Sequence, residues 1–174
     1  MGSAQGLRPQ ARVSVLLALP VPGEAVATAT LFFEPFRAAL PANHPLAAHP
    51  TLALRDLAEA GTGAGLLLLE EGHCLRDQAL ALCGGAREGG RFASSLEMLR
   101  HMIAAGEGVS LLPALAAQER SDLDGLLLLR DFHGEAVGRT IGLAWRATDP
   151  RAAAFAEFVA FLRRTAPPGT AASG

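Results

Sequence analysis

Residues 94–113 have the sequence SSLEMLRHMIAAGEGVSLLP, which predicts a helix followed directly by a buried strand. Ser94 and Glu97 have the spacing of a capping box, so we expect the helix to begin there. Apolar residues then recur at helical spacing as far as Gly106, which should end the helix. These residues are Leu96, Leu99, Met102 and Ile103. The apolar run at 109–112 is typical of a strand that is buried on both faces.

The same alternation of helices and strands extends outward through the rest of the chain. Apolar runs predict further strands at 12–19, 28–33, 36–40, 66–69, 126–129 and 140–145, with a break at 34–35. Helical spacing of apolar residues predicts helices at 52–60, 75–83 and 151–164. This alternation is typical of an α/β fold with mainly parallel sheets. The polar ends, residues 1–11 and 165–174, are predicted to be disordered.

The composition limits the kinds of function that these residues can carry by themselves. Half of the 174 residues are hydrophobic, which is enough for one domain or two small lobes. A net charge of −2 gives no sign of the basic face that nucleic acid binding requires, so we expect any DNA contacts to lie elsewhere. No apolar run approaches the roughly 18 residues of a membrane span, and the N-terminus does not resemble a secretory signal. We therefore expect a cytoplasmic protein without a membrane partner.

Cys74 and Cys83 are the only cysteines in the chain, and a reducing cytoplasm disfavours a permanent structural disulfide between them. Cys74 lies where a loop meets the predicted helix, at the positive end of the helix dipole. His73 precedes it and Arg76 follows it, and positive potential favours the thiolate that attacks peroxides. Cys83 lies on the apolar side of the same helix, so we expect it to be shielded and less reactive.

The spacing of the two cysteines decides what kind of pair they can form. Nine helical residues separate two Cα atoms by about 13 Å, whereas a disulfide needs them within about 7 Å. A bridge therefore requires the helix to unwind, as it would in a redox switch. In such a switch Cys74 would be oxidised to sulfenic acid and would then condense with Cys83.

Other interpretations of these residues stay open on the sequence pattern. Cysteines in cytoplasmic proteins are often buried and unreactive, so both thiols could be inert. A zinc site could combine the cysteines with His73 or His101, but the spacing differs from that of the usual close cysteine pairs. Arg76 and Asp77 are also compatible with a solvated pair at the start of a helix.

Residues 72–83, GHCLRDQALALC, are similar to the sensor segment of OxyR-type regulators, the peroxide-responsive branch of the LysR-type transcription regulators. The GHCLRD run with a second cysteine nine residues after the first is the most specific part of this resemblance. The resemblance extends from residue 14 to residue 164. Further matches to the core of the same regulatory domain lie at 31–35, 44–45, 95–115 and 139–143.

The resemblance implies a two-lobed α/β fold like that of type 2 periplasmic binding proteins, with mainly parallel sheets and an incomplete first lobe. Lobe I would consist of 12–36 and 126–164, and lobe II of 37–125 with the redox-sensing segment at 70–91. The family's winged helix-turn-helix has no counterpart in these residues. The same holds for the beginning of the first lobe, which supplies threonine hydroxyls to the family's peroxide pocket. Gly90 stands where the family has a histidine, so that contact is expected to be missing.

The resemblance also implies roles for individual residues and partners. Cys74 matches the peroxidatic cysteine and Cys83 the resolving cysteine, while His73, Arg76 and Asp77 match the polar neighbours that hold the reduced site. The implied partners are hydrogen peroxide, further copies of the chain in a homodimer or tetramer, and a glutaredoxin-like thiol reductant. Promoter DNA and RNA polymerase would be contacted only through the family's N-terminal region. No cofactor, no metal and no enzymatic turnover are expected.

Three other functions compete with a redox switch. The first is a small-molecule-binding domain of the wider LysR type, in which Ser94 and Ser95 at a helix start hold an anionic effector. The second is a thiol peroxidase, which would need an efficient reductant and a complete pocket. The third is a decayed fragment without activity.

Overall fold

The computed structural model describes residues 15–20, 23, 25–62, 65–84, 91–117 and 123–172, so the predicted disordered segment 1–11 lies outside the described residues. The strands are β1 (Val15–Leu19), β2 (Val26–Pro41), β3 (Thr51–Leu52), β4 (Leu67–Leu69), β5 (Arg91–Ala93), β6 (Ser110–Pro113), β7 (Leu127–Phe132), β8 (Gly138–Arg146) and β9 (Ala171–Ala172). The helices are α1 (Leu54–Ala60), α2 (Cys74–Cys83), α3 (Leu96–Ala104) and α4 (Ala152–Arg164), with a short 3-10 helix at Pro45–Ala48. None of the described helices has the length and apolar composition needed to cross a membrane.

The chain divides into two units, one formed by Phe36–Val137 and the other by the residues on either side of it. The sequence analysis assigned 126–164 to the first lobe, whereas β7 lies within Phe36–Val137. The physical reason is backbone pairing. β7 is hydrogen-bonded to the last residues of β2 and to β3, so its partners in the sheet lie in the same unit.

The first unit consists of an antiparallel sheet and α4. β8 lies between β1 and the first ten residues of β2, with Val15 opposite Ala144 and Val26 opposite Arg146. α4 buries Phe155 and Val159, which are four residues apart and therefore share one face of the helix. The Phe155 ring packs against Trp145 of β8, with 5.3 Å between the ring centroids.

β2 is a single long strand, although the sequence analysis placed a break at 34–35. Pro35 has no N–H to donate, but its fixed φ is compatible with an extended strand. It pairs with Gly138, and the backbone bonds resume at once, since the Phe36 N–H donates to the Val137 carbonyl at 2.9 Å. The Glu34 carboxylate is buried and accepts a hydrogen bond from Arg139 Nε at 2.7 Å. Cross-strand bonds on both sides of the proline therefore keep the strand continuous.

The segment after α4 is ordered through residue 172, which differs from the predicted tail at 165–174. β9 adds to β2 with Phe32 opposite Ala172 and Phe33 opposite Ala171. The Thr165 hydroxyl donates to the Phe161 carbonyl at 3.1 Å. Backbone pairing to a strand needs no apolar periodicity, which explains why the sequence pattern gave no sign of it.

The second unit places its helices around a core of leucines. The end of β2 pairs with β6 and β7, while β4 pairs with β5 in a separate two-stranded sheet. The Leu67 N–H donates to the Val109 carbonyl at 2.9 Å, which ties β4 to the segment that leads into β6. Eight of its core side chains are almost fully enclosed: Leu40, Leu52, Leu57, Leu67, Leu99, Ile103, Leu111 and Leu112.

The α/β class is confirmed, but the sheets are mixed instead of mainly parallel. Five of the seven pairings between the described strands are antiparallel. β1 and β2 run in the same direction, but the antiparallel β8 lies between them. Both pairings of β8 are therefore antiparallel, which contributes to the mixed character of the sheet.

Candidate redox site

α2 begins at Cys74 because the chain leaves a buried strand through a tight turn. β4 is fully buried, and Gly72 then adopts a φ of 95°, a left-handed conformation that glycine adopts without strain. His73 occupies the N-cap position with extended backbone, but its side chain makes no capping hydrogen bond. Cys74 is exposed and is the first residue of the helix, which agrees with its predicted place at the junction of loop and helix.

Cys83 is the last residue of the same helix, and Gly84 ends it in the left-handed conformation. The Cys83 side chain is half-buried against the core of the second unit, on the same side as Leu80 and Leu82. This burial raises the pKa of the Cys83 thiol from its ordinary value of 9.0 to about 11. Shielding of Cys83 is therefore present in the structure, and the thiol is protonated at neutral pH.

Both thiols are free, and α2 is continuous over its ten residues. At the helical rise, the Cα atoms of the two cysteines are about 13 Å apart, well beyond the roughly 7 Å limit of a disulfide. Helix and disulfide therefore exclude each other. The reduced dithiol is compatible with the helical form of α2. A disulfide between the two cysteines can form only after α2 unwinds.

Arg76 packs against β5 instead of remaining in solvent. Its guanidinium carbon lies 4.8 Å from the centroid of the Phe92 ring, and Nη1 lies 3.9 Å from Oε1 of Glu71. Arg76 follows Cys74 by two residues, and residues two apart on a helix do not face each other. The contacts of Arg76 with Phe92 and Glu71 are therefore directed away from Cys74. Support of the Cys74 thiolate by Arg76 stays a prediction.

The other predicted supporting residues occupy the same turn. His73 and Asp77 are both exposed, and Asp77 lies in the first turn of α2, where a carboxylate interacts favourably with the helix dipole. The structure thus brings His73, Cys74, Arg76 and Asp77 together on one helix start. Their roles toward peroxide stay predictions.

Gln78 was not singled out from the sequence. It lies four residues after Cys74, hence one turn along the same face of α2. Its Oε1 atom is buried and has no hydrogen-bond partner among the described residues. A buried acceptor without a donor is costly, which makes this amide oxygen a candidate polar group of the site. The four-residue spacing from Cys74 was the signal that could have identified it.

Ser95, not Ser94, caps α3. Its Oγ atom accepts a hydrogen bond from the Met98 N–H at 3.1 Å, and Ser94 is exposed. The predicted capping box of Ser94 and Glu97 is therefore wrong: the cap lies one residue later, and Met98 at the third helical position has no oxygen to complete a box. β5 ends at Ala93 and α3 begins at Leu96, so Ser94 and Ser95 are the two residues between them. The Glu97 carboxylate lies 3.3 Å from His101 Nε2, one turn further along α3.

No described group of three or more histidine, cysteine or acidic side chains has an arrangement that could hold a metal ion. The four residues considered for a zinc site all lie in the described part of the chain: His73, Cys74, Cys83 and His101. The two ends of α2 hold the cysteines too far apart to share one tetrahedral ion.

Comparisons with known proteins place these features in a family context. Residues 14–167 match the family described as LysR substrate binding domain. The DNA-binding transcriptional dual regulator OxyR of Escherichia coli K12 is 42% identical over 152 residues, which cover 86% of this chain and 48% of that protein. The chain thus spans about half the length of the curated relatives it matches.

Solved structures give the same result for the fold. The reduced form of the OxyR regulatory domain from Pseudomonas aeruginosa has a TM-score of 0.72 and 37% identity, covering 87% of this chain and 72% of that chain. An OxyR cysteine-to-serine variant from Corynebacterium glutamicum, bound to hydrogen peroxide, has a TM-score of 0.73 and 31% identity. That match covers 87% of this chain and 48% of the other.

Proposed function

This chain belongs to the LysR substrate-binding domain family, and from that membership we propose that it is the peroxide-sensing part of an OxyR-type transcription regulator. The observation that carries the proposal is the placement of the two thiols. An exposed Cys74 begins α2, and a half-buried Cys83 ends the same helix. Helix and disulfide cannot coexist there, so oxidation of the pair must change the conformation of the domain.

Oxidation begins at Cys74 because its sulfur is the exposed one. The Cys74 thiolate attacks one oxygen of hydrogen peroxide. The S–O bond forms, the O–O bond breaks, and the departing hydroxide takes up a proton to become water. The product is the sulfenic acid of Cys74, in which the sulfur has lost two electrons to the peroxide.

Resolution requires Cys83 to leave its half-buried position. As α2 unwinds, the Cys83 thiol meets water and its pKa falls from about 11 toward the ordinary value of 9.0, which increases the thiolate fraction. The Cys83 thiolate then attacks the sulfur of Cys74. The S–S bond forms, and hydroxide leaves and is protonated to water. In sum two thiols are oxidised to a disulfide and one peroxide is reduced to two waters.

The regulator's output would be transmitted by this loss of α2. We assign promoter DNA and RNA polymerase contacts to regions that the longer relatives contain, and assembly to a homodimer or tetramer. A glutaredoxin-like dithiol of the cytoplasm would restore the helix by thiol–disulfide exchange. The domain acts as a sensor that is oxidised once per signal, not as a peroxidase that turns over.

Mass spectrometry after one equivalent of hydrogen peroxide tests the proposal. We expect the wild-type chain to lose two hydrogen atoms and to yield a peptide pair linked through Cys74 and Cys83. Cys74→Ser should form no bridge, and Cys83→Ser should leave Cys74 as sulfenic or over-oxidised acid. Free thiols in the wild-type chain after this treatment would refute the proposal.

The same samples distinguish the redox switch from a domain that responds to a small anionic effector. Such a domain would gain melting temperature from the effector while its thiols stay reduced. The Ser95 Oγ atom caps α3 as an acceptor and its O–H can still donate to an anion, so it is the placement of the two thiols that leads us to favour the redox switch.

A further inference from the structure

We propose that Phe92 is a positioning residue of the sensor, which acts through Arg76 to hold the first turn of α2 in its helical form. This inference rests on the proposed redox function for its biological meaning. The contact itself joins two elements, because Arg76 lies on α2 and Phe92 lies on β5. The guanidinium carbon lies 4.8 Å from the ring centroid, well within the range of a cation–π interaction.

The low exposure of the Arg76 side chain means that water screens its contact with the ring only in part. The Arg76 side chain is only 16% exposed, whereas Phe92 is 43% exposed. Partial removal of the guanidinium from water strengthens its cation–π contact with the Phe92 ring. The 3.9 Å ion pair to Glu71 adds little, since the Glu71 side chain is 90% exposed and water screens the charge.

β5 is a fixed support for this ring. Leu67, Leu68 and Leu69 of β4 are buried and pair in parallel register with the three residues of β5, Phe92 lying opposite Leu68. The backbone that carries Phe92 is therefore hydrogen-bonded to a strand of the core. A side chain stacked on this ring is tied to the core of the second unit.

The turn of α2 that carries Arg76 is the one that must open for the disulfide to form. It contains Cys74, and His73 supplies no side-chain cap to stabilise it. Leu75 anchors this turn in the core, and the Arg76–Phe92 stack adds a second contact to a turn that has no side-chain cap. Loss of the stack should shift the equilibrium from the helix toward the unwound form, and hence from the dithiol toward the disulfide.

Hydrogen exchange in the full chain tests the first half of this inference without redox chemistry. In a Cys74→Ser, Cys83→Ser background, Phe92→Leu should raise the exchange rates of amides 78–83 by about two- to fivefold, the range that corresponds to an exposed cation–π contact. Phe92→Tyr keeps the aromatic face and should retain the rates of the parent. Equal rates in all three proteins, or faster exchange with both substitutions, would overturn the inference.

A double-mutant cycle isolates the pair from any general effect of changing Phe92. Arg76→Met retains an unbranched side chain but removes the cation, so it should raise the same exchange rates. Adding Phe92→Leu to Arg76→Met should then change them no further, because the stack is already lost. Independent, multiplying effects of the two substitutions would contradict a direct contact.

Redox titration of the cysteine-containing chain in dithiothreitol buffers tests the second half. Phe92→Leu should shift the dithiol–disulfide equilibrium toward the disulfide by the same factor as the exchange rates, and Phe92→Tyr should not. If Phe92→Leu speeds amide exchange but leaves the dithiol–disulfide equilibrium unchanged, Phe92 stabilises α2 only locally. Its proposed role in the sensor would then be rejected. If the wild-type chain forms no disulfide at all, the proposed function fails. The hydrogen-exchange experiment would still show whether the Arg76–Phe92 contact stabilises α2.

Discussion

At the scale of single residues, the two thiols differ in how much water reaches them. Cys83 is half-buried against leucines, which raises its pKa to about 11, whereas Cys74 is exposed. Below pH 9.0, which is the ordinary pKa of a cysteine thiol, Cys83 is mostly protonated in both the helical and the unwound form. Between 9.0 and about 11 the unwound form loses the proton first, so rising pH favours unwinding of α2 in that window.

Alkylation of Cys83 in the Cys74→Ser variant checks this shift. We expect the rate of reaction with iodoacetamide to rise with pH and to reach half its limit near pH 11, because only the thiolate reacts. The same variant in concentrated urea, in which the burial is lost, should have a midpoint near 9.0. A midpoint at or below 9.0 in the folded variant would show that Cys83 is not shielded.

The sequence was sufficient to predict where the two cysteines lie on their helix. A loop-to-helix junction at Cys74 and an apolar face at Cys83 are both local patterns. The partner of Arg76 was not predictable in this way. Phe92 is sixteen residues distant, and it meets Arg76 only because β5 pairs with the buried β4. Gln78 was overlooked because the burial of an amide oxygen depends on tertiary packing.

At the scale of elements, the start of α3 gives a direct test of the corrected cap. Ser95→Ala removes the acceptor of the Met98 N–H and should lower the free energy of unfolding by about 1 kcal/mol. Ser94→Ala is a matched control one residue away, and it should change the free energy of unfolding by less than about 0.5 kcal/mol. Urea denaturation of the three proteins would measure both effects. A larger loss in the Ser94 variant would restore the capping box that the sequence suggested.

The continuity of β2 depends on an ion pair that no sequence pattern predicts. Glu34 is 1% exposed and Arg139 20% exposed, and their side chains join β2 to β8. A break at Glu34-Pro35 is predicted from the sequence, and both a charged residue and a proline are indeed uncommon inside strands. The break is absent because the partner strand, more than a hundred residues later, supplies the opposite charge.

Glu34→Gln should therefore destabilise the first unit. Removal of one member of a buried pair costs about 3 kcal/mol or more, because Arg139 would face a neutral amide instead of a carboxylate. Replacement of both residues, as in Glu34→Leu with Arg139→Met, should recover most of this loss. Urea denaturation provides the free energies. A cost below about 1 kcal/mol for Glu34→Gln would mean that water already screens the pair.

At the scale of the whole molecule, the class of fold was predictable but the direction of its strands was not. Alternating apolar runs and amphipathic helices indicate α/β on local patterns alone. Strand direction depends on which strands become neighbours, and β8 enters between β1 and β2 from a distant part of the chain. The position of β7 in the second unit and the pairing of β9 have the same origin, since both follow from backbone bonds between remote segments.

The charge of the whole chain predicts its behaviour toward DNA. With a net charge of −2 and 18% charged residues, it has no excess of cations to neutralise phosphates. We expect no change in the fluorescence anisotropy of a labelled DNA duplex when this chain is added at micromolar concentration in roughly 0.15 M salt. Binding that weakens steeply as salt is added would instead indicate a basic surface within these residues.

The two ends of α2 also give the conformational change a direction. Gly84 closes one end in a left-handed cap, with its N–H donating to the Leu80 carbonyl at 3.1 Å, while His73 leaves the other end without a side-chain cap. Fraying therefore starts at Cys74 and advances toward Cys83. The oxidised sulfur of Cys74 therefore travels the greater distance, while Cys83 moves only far enough to expose its thiol to water. We expect the disulfide form to keep Gly84 near its present position and to displace His73, so that the signal leaves the sensor along the loop that precedes the helix.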